Sequence, residues 1–385
     1  MKEKILVVHG GAPTAVINAS LYGVIKEAFR NPEIETVLGA VGGVDGVLQE
    51  KFIDFKTQSP AIIERLPFTP ASAIGTSRSK LRDEDYEAIV TQLRKHKIKY
   101  LLFNGGNGSM DACGRIQNLA SSYGIQVLGI PKTIDNDIAI TDHCPGFGSA
   151  ARYLAVSVAE AALDVKALPI HVSIIETMGR NAGWIAASSA LARKKVGDAP
   201  HLIYLPERPF HVAEFLEDVS RLRQRVGGVV VVVSEGLVDQ DHQPVVPPML
   251  TKGRDVYFGD VGTHLAMLVM KELGIKARSE KPGLLGRASI TLQSSVDRDE
   301  AIRVGEFAVH SLLAGKTGAM VGYKRVSDQP YHCETVLIPI AEVMMHEKKM
   351  PDAFISPRGN DVDGDFVEYC KPLIGEPLPE YAEFH

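Results

Sequence analysis

The sequence predicts an α/β fold built from doubly wound, mostly parallel sheets. Short apolar runs such as ILVV (5–8), YLLF (100–103) and VVVVVS (229–234) lack the period-two alternation of half-exposed strands. Segments of helical periodicity alternate with these runs. The runs end in glycines or polar clusters, at residues 10–11, 105–109, 131–137, 177–180 and 235–236. In doubly wound folds, ligands bind beyond such carboxyl ends of strands.

The elements follow in order. Residues 5–8 form a strand, then a glycine turn, then a helix over 15–29. A helix over 86–96 leads into the buried strand 100–103. The next stretch, FNGGNGSMD, opens a helix at once, with Met110, Cys113, Ile116 and Leu119 at helical spacing. A strand ending in glycines and opening a helix is suited to seating a phosphate. Further strands are expected over 126–130, 172–176 and 229–234, and helices over 150–167, 183–193, 211–225, 262–273 and 298–313. Proline-rich 243–250 reads as a surface loop.

At 385 residues the chain is long enough for two domains, and its 45% hydrophobic and 23% charged composition is that of a globular protein. The net charge is −5, with no basic stretch that would suggest nucleic acid, so phosphate binding must rest on individual donors. Cys113, Cys144, Cys333 and Cys370 are far apart and form no CxxC pair, which argues against a zinc site or a disulfide framework. The lysine-flanked start is too short for a signal peptide, and no apolar run approaches the roughly 20 residues of a membrane span. A reducing, cytoplasmic location is expected, with no membrane partner.

Several motifs fail on inspection. Ala314-Gly315-Lys316-Thr317 resembles the end of a P-loop, but His310 stands where its first glycine belongs. Residues 146–151 fit GxGxxA but follow a polar turn, not a strand. Residues 361–365 resemble a calcium loop whose glycine is misplaced, and a solvated acidic turn is the better account. Two stretches survive. PKTIDND (131–137) places two carboxylates, a hydroxyl, an amide and an ammonium after a strand. Asp135 and Asp137 would point the same way if extended, one suited to a metal and the other to a proton. ETMGRNAGW (176–184) sets an arginine among glycines at a strand end, and Arg180 could fork onto a phosphate or carboxylate. The alternative readings are an Asx-rich turn for the first and a capped turn with a core tryptophan for the second.

Together these residues resemble the phosphofructokinase family. PKTIDND and MGR are its most specific motifs here, joined by GGNGS (105–109), SEG (234–236), GTSR (75–78), HGGAPTAVINAS (9–20), SSVDRDEA (294–301) and GNDVDGDFVEYCKPLIG (359–375). The terminal stretches look like the branch that often uses pyrophosphate. The resemblance implies two similar α/β domains with the active site in the cleft between them. One would be a larger donor-binding domain over 1–146 plus about 289–345. The other would be a smaller sugar-phosphate domain over 147–288 plus about 346–385. It also implies magnesium-dependent phosphoryl transfer to the 1-hydroxyl of fructose 6-phosphate and a homodimer or homotetramer.

By position, the resemblance makes Asp135 the base, with Thr133 and Lys132 beside it as catalytic residues. Asp137 and Asn107 would hold the metal. Gly10, Gly11, Arg78, Gly106, Asn107, Gly108 and Ser109 would face the donor. Thr133, Asp135, Met178, Gly179, Arg180 and Glu235 would hold the sugar phosphate.

Four departures matter. Asn107 stands where many members have a metal-binding aspartate, so weaker magnesium binding without substrate is expected. Gly108 is the ATP-type choice where pyrophosphate users usually have aspartate, whereas Lys132 is the pyrophosphate-type residue. Because an absent side chain admits ATP and a nearby lysine does not exclude it, ATP is the expected donor and pyrophosphate the alternative. His171 replaces an arginine that in many members reaches a neighbouring subunit's sugar phosphate. No phosphate-binding histidine motif occurs near Leu285, which leaves Lys281 and Arg287 as replacements and keeps sedoheptulose 7-phosphate or another ketose phosphate open as acceptor. A different kinase with a GGDG-type loop and a non-catalytic sugar-phosphate or nucleotide sensor are the other classes; PKTIDND and MGR oppose the first, and intact Asp135, Asp137, Thr133 and Arg180 oppose the second.

Overall fold

The computed structural model describes residues 2–252 and 255–382. Its strands are β1 (Glu3–His9), β2 (Ile34–Ala40), β3 (Phe52–Asp54), β4 (Ile98–Gly105), β5 (Gln126–Pro131), β6 (Val172–Thr177), β7 (Leu202–Tyr204), β8 (Val229–Ser234), β9 (Pro248–Lys252), β10 (Asp255–Phe258), β11 (Ala277–Glu280), β12 (Ala319–Asp328) and β13 (Tyr331–Pro339). The chain divides into two compact units, 1–149 with 287–348 and 150–286 with 349–385.

The first unit holds a seven-stranded sheet in the order β13-β12-β5-β4-β1-β2-β3. Its centre is parallel, while β2–β3 and β12–β13 pair antiparallel at the two edges. Alternation within a buried strand explains why both faces must be covered. Leu6 and Val8 of β1 pack with Ile89, Leu93, Met110 and Ile116 from the helices Asp83–Lys95 and Asn107–Ala120. Ile5 and Val7 pack on the other face with Leu21, Ile25, Val304 and Ala308 from the helices Ile17–Arg30 and Ser295–Leu313. The chain winds from β1 toward β2 on one side and toward β4 on the other, so the loops after β1 and β4 flank a topological switch point.

The second unit holds a parallel four-stranded sheet, β11-β6-β8-β7. Its core joins Ile174, Val231 and Tyr204 to Phe215, Val219, Leu265 and Val269 of the helices Val212–Val226 and Val261–Leu273. Trp184 is buried against Phe354, Phe366 and Tyr369, as a core tryptophan would be.

Some local expectations are corrected. The loop expected over 243–250 ends in β9, which pairs antiparallel with β10. The helix expected over 183–193 is Trp184–Ser188 followed by the 3-10 turn Ser189–Ala192. The acidic turn is exposed at Asp363 and Asp365, as expected, and it is also anchored: Asp361 accepts from Arg193 at 2.8 Å, and Asp363 caps the helix Gly364–Cys370. Among the described residues no helix is long and apolar enough to cross a membrane. All four cysteines are free and buried.

Candidate active site

β1, β4 and β5 are parallel neighbours, so their carboxyl ends share one edge of the first sheet. That edge gathers Gly10-Gly11, the 105–109 turn and PKTIDND. The turn is tight because Ser109 lies against both Gly10 and Gly105, where a Cβ would collide with its hydroxyl. Helix Asn107–Ala120 starts here, and its first backbone amides and positive dipole end suit an anion. A Cβ at Gly108 would meet nothing within 4 Å, so this side of the turn is open.

Lys132 is buried, and its Nζ donates to the Ala12 carbonyl. Burial, then the Arg287 and Arg78 guanidinium groups, push its pKa down to about 8. Arg287 is itself held below the usual arginine value by burial and by Arg78, while Asp135 opposes this. Lys132, Arg78 and Arg287 thus form a cationic group around Asp135, within the first unit. Sequence reasoning had paired Arg287 with the sugar phosphate alone; the structure places it in the field of Lys132 and Asp135.

Thr133 Oγ1 accepts from the Asp135 amide at 3.0 Å and donates to Asp137 Oδ1 at 3.2 Å. Asn107 Nδ2 donates to Asp137 Oδ2 at 2.9 Å, and Asn107 Oδ1 is buried without a hydrogen-bond partner. Burial raises the Asp137 pKa. The result is a pair of oxygen ligands, one anionic and one an unsatisfied carbonyl, which is the donor chemistry a hard divalent cation takes.

The loop is braced from behind. Asp297, buried, accepts from the Gly146 amide at 2.8 Å and from Ser149 N and Oγ at 2.9 and 2.6 Å. The Thr133 amide in turn donates to the Pro145 carbonyl at 3.1 Å. His143 lies between Asp142 (2.8 Å) and Glu300 (2.7 Å), stacked on Tyr323. Burial works to lower its pKa, but Glu300 and Asp142 overcome this and hold it well above the usual histidine value. These two braces draw on Asp297 and Glu300 of the SSVDRDEA stretch.

In the second unit, the carboxyl ends of β6, β8 and β11 also share one edge. Ser234 Oγ donates to the Gly179 carbonyl at 2.6 Å, and the Glu235 amide to Thr177 O at 2.9 Å, so SEG clasps the MGR turn. Gly179 has φ 110°, and a Cβ there would lie 2.6 Å from the Ala182 carbonyl. Arg180 is exposed just beyond, beside Met178. Burial raises the Glu235 pKa against the pull of Arg180 and Lys281. Lys281 pairs with Glu176 at 2.7 Å and Asp260 at 2.6 Å. Glu176 is 1% exposed and also accepts from the Gly262 amide at 2.8 Å. His171 is buried, and burial and Arg278 lower its pKa.

Sequence reasoning missed Glu176, Asp260, Glu207 and Lys348 as partners of these loops. Glu207 accepts from Gly183 N at 2.9 Å and Met350 N at 3.2 Å. Only Glu176 carried a signal, a carboxylate at the penultimate position of the buried strand β6.

The family model described as Phosphofructokinase matches residues 4–312. The chain belongs to the phosphofructokinase family. These enzymes are phosphotransferases acting on a sugar hydroxyl. The chain is 42% identical over 387 residues to pyrophosphate–fructose 6-phosphate 1-phosphotransferase of Xanthomonas campestris pv. campestris, covering 97% of this chain and 92% of that relative. It is 33% identical over 360 residues to a sulfofructose kinase of Alkalicoccus urumqiensis, covering 92% of each. The crystal structure of the pyrophosphate-dependent phosphofructokinase from Marinobacter aquaeolei matches with a TM-score of 0.90 and 36% identity, over 99% of this chain and 94% of that one. The α/β architecture of two mostly parallel sheets is thus that of solved phosphofructokinases.

Proposed function

We propose that this phosphofructokinase transfers a phosphoryl group from pyrophosphate to the 1-hydroxyl of fructose 6-phosphate, giving fructose 1,6-bisphosphate and phosphate. The cationic group of Lys132, Arg78 and Arg287 around Asp135 carries the reading. A small, highly charged donor is all phosphate, and its recognition needs dense cations more than a purine pocket. The relatives' names support pyrophosphate better than the ATP expected from Gly108. The open space at Gly108 admits a nucleotide but adds no contact to one.

In this reading Asp135 takes the proton of the 1-hydroxyl as its oxygen bonds to the near phosphorus. The bridging P–O bond breaks and phosphate leaves, its charge held by Lys132, Arg78 and the amides of 106–108 beside Gly10 and Gly11. Thr133 orients Asp137 and the Asp135 amide. Magnesium fits Asp137 and Asn107 Oδ1, and when bound it supplies charge neutralisation on the phosphate oxygens. Met178, Gly179 and Arg180, with Glu235 and Lys281, hold the sugar phosphate. A cytoplasmic enzyme accords with the free buried cysteines, and a homo-oligomer with the family.

Pyrophosphate and the bisphosphate are close in transfer potential, so the reaction runs both ways. Incubating fructose 1,6-bisphosphate, inorganic phosphate and magnesium with the purified protein is the test. Formation of fructose 6-phosphate and pyrophosphate supports the reading. Failure of this reverse reaction, with ATP-dependent turnover forward, overturns it.

A further inference from the structure

The loop carrying Asp135 and Asp137 is bent into a shape its own residues resist. Asn136 has φ 55° and Ile140 φ 70°. Left-handed backbone is tolerated by asparagine but is an outlier for a β-branched residue. Ile140 is also 57% exposed, so apolar packing does not hold it there. Something else must fix the turn.

One side chain does so at several points. Lys348 Nζ donates to the Asp142 carbonyl at 2.9 Å and the Thr141 carbonyl at 3.1 Å, and reaches Asn136 Oδ1 at 3.4 Å. Its backbone amide donates to the Asp137 carbonyl at 2.7 Å. Next to it, Glu347 forms an antiparallel bridge with Ile138. A lysine ammonium has three donors and no acceptor, which matches a turn whose carbonyls point inward. The contacts span both ends of the strained stretch, from Asn136 to Asp142.

Resting on the phosphoryl-transfer reading above, we propose that Lys348 is a positioning residue that fixes the loop bearing Asp135 and Asp137 in its reactive shape. It touches neither sugar nor donor. It acts through the backbone, holding Asp137 O and the two carbonyls beyond the second left-handed residue. Transfer chemistry is sensitive to such placement, because reacting groups must be held at near-attack distance. Lys348 is also the last residue of the first unit, since the chain enters the second at residue 349.

Two variants separate positioning from bulk stability. Lys348→Met keeps the stem and removes every side-chain donor. Lys348→Arg keeps charge and donors. Full-length proteins are compared by kcat and KM for each substrate, and by hydrogen exchange of individual amides. In Lys348→Met, kcat should fall at least tenfold, with KM for fructose 6-phosphate within about twofold of wild type. Lys348→Arg should recover much of that loss. Protection should drop at residues 136–142 and stay unchanged at 177–183. If Lys348→Met is insoluble, Lys348→Gln, with fewer donors on a shorter stem, is held to the same criteria.

The proposal is overturned if kcat stays within twofold. It is equally overturned if protection falls uniformly across the first unit. Wild-type protein inactive with either donor would sink the functional reading alone, while the exchange pattern would still decide the role of Lys348.

Discussion

Asn107 Nδ2 donates to Asp137 Oδ2 at 2.9 Å, and this bond leaves the Asn107 carbonyl oxygen buried and without a hydrogen-bond partner. An aspartate at 107 would face Asp137 as a second carboxylate, repelling it without metal and chelating with it. Asn107→Asp should therefore lower the magnesium concentration for half-maximal activity roughly tenfold, equivalent to about 1.4 kcal/mol. The same variant should melt earlier than wild type in EDTA. A magnesium titration and thermal melts with and without chelator check both arms.

Asp135 sits in a cationic field with its amide fixed by Thr133 Oγ1 at 3.0 Å. Asp135→Asn keeps the shape and removes the base. The expected loss in kcat is about 10²–10⁴-fold, with little change in KM for fructose 6-phosphate. Steady-state kinetics under saturating magnesium measure it. A retained kcat would move the proton to another group.

The buried ammonium of Lys132, at about pKa 8, sets a pH limb. Below about pH 8 it is charged and available to the donor anion; above, it becomes neutral. The kcat/KM for pyrophosphate should fall as pH rises through about 8, since that ratio reports the free enzyme. Lys132→Met should abolish the limb. The stability sign is opposite: the folded pKa lies below the ordinary 10.5, so burial of the charge costs stability below about pH 8, and that cost is relieved between there and 10.5.

His143 binds two carboxylates with its two ring nitrogens. Its raised pKa gives stability that is complete below 6.5 and is lost as pH rises through the raised value. Asp142 and Glu300 lie below their ordinary 3.8 and 4.5, despite burial, and lose their share as pH falls through the lowered values. Replacing the histidine removes one partner from each acid and leaves Asp142 with Arg325 and Glu300 with Arg303 and Tyr331. His143→Gln should cost about 1–3 kcal/mol near pH 6, and the gap to wild type should narrow in alkali. Denaturant melts at several pH values test this.

The parallel sheets were legible because buried strands read as unbroken apolar runs, and the runs at 100–103 and 229–234 lie inside β4 and β8. The hairpin of β9 and β10 was not, because prolines and polar residues hide a strand that pairs only with its neighbour. In the site, PKTIDND and MGR stood out through local density of chemistry. Lys348 and Glu207 did not, since each acts across a long sequence separation and looks alone like any surface charge, and Asp297, inside SSVDRDEA, gave no sign of its bracing role. Donor choice was read from one open position, Gly108, whereas the cations of Lys132, Arg78 and Arg287 meet only in three dimensions.

The most direct test is forward kcat/KM for pyrophosphate and for ATP, with fructose 6-phosphate and magnesium saturating. The account predicts that pyrophosphate is favoured by at least a hundredfold. A ratio near unity, or one favouring ATP, would contradict it and make the open space at Gly108 the deciding feature.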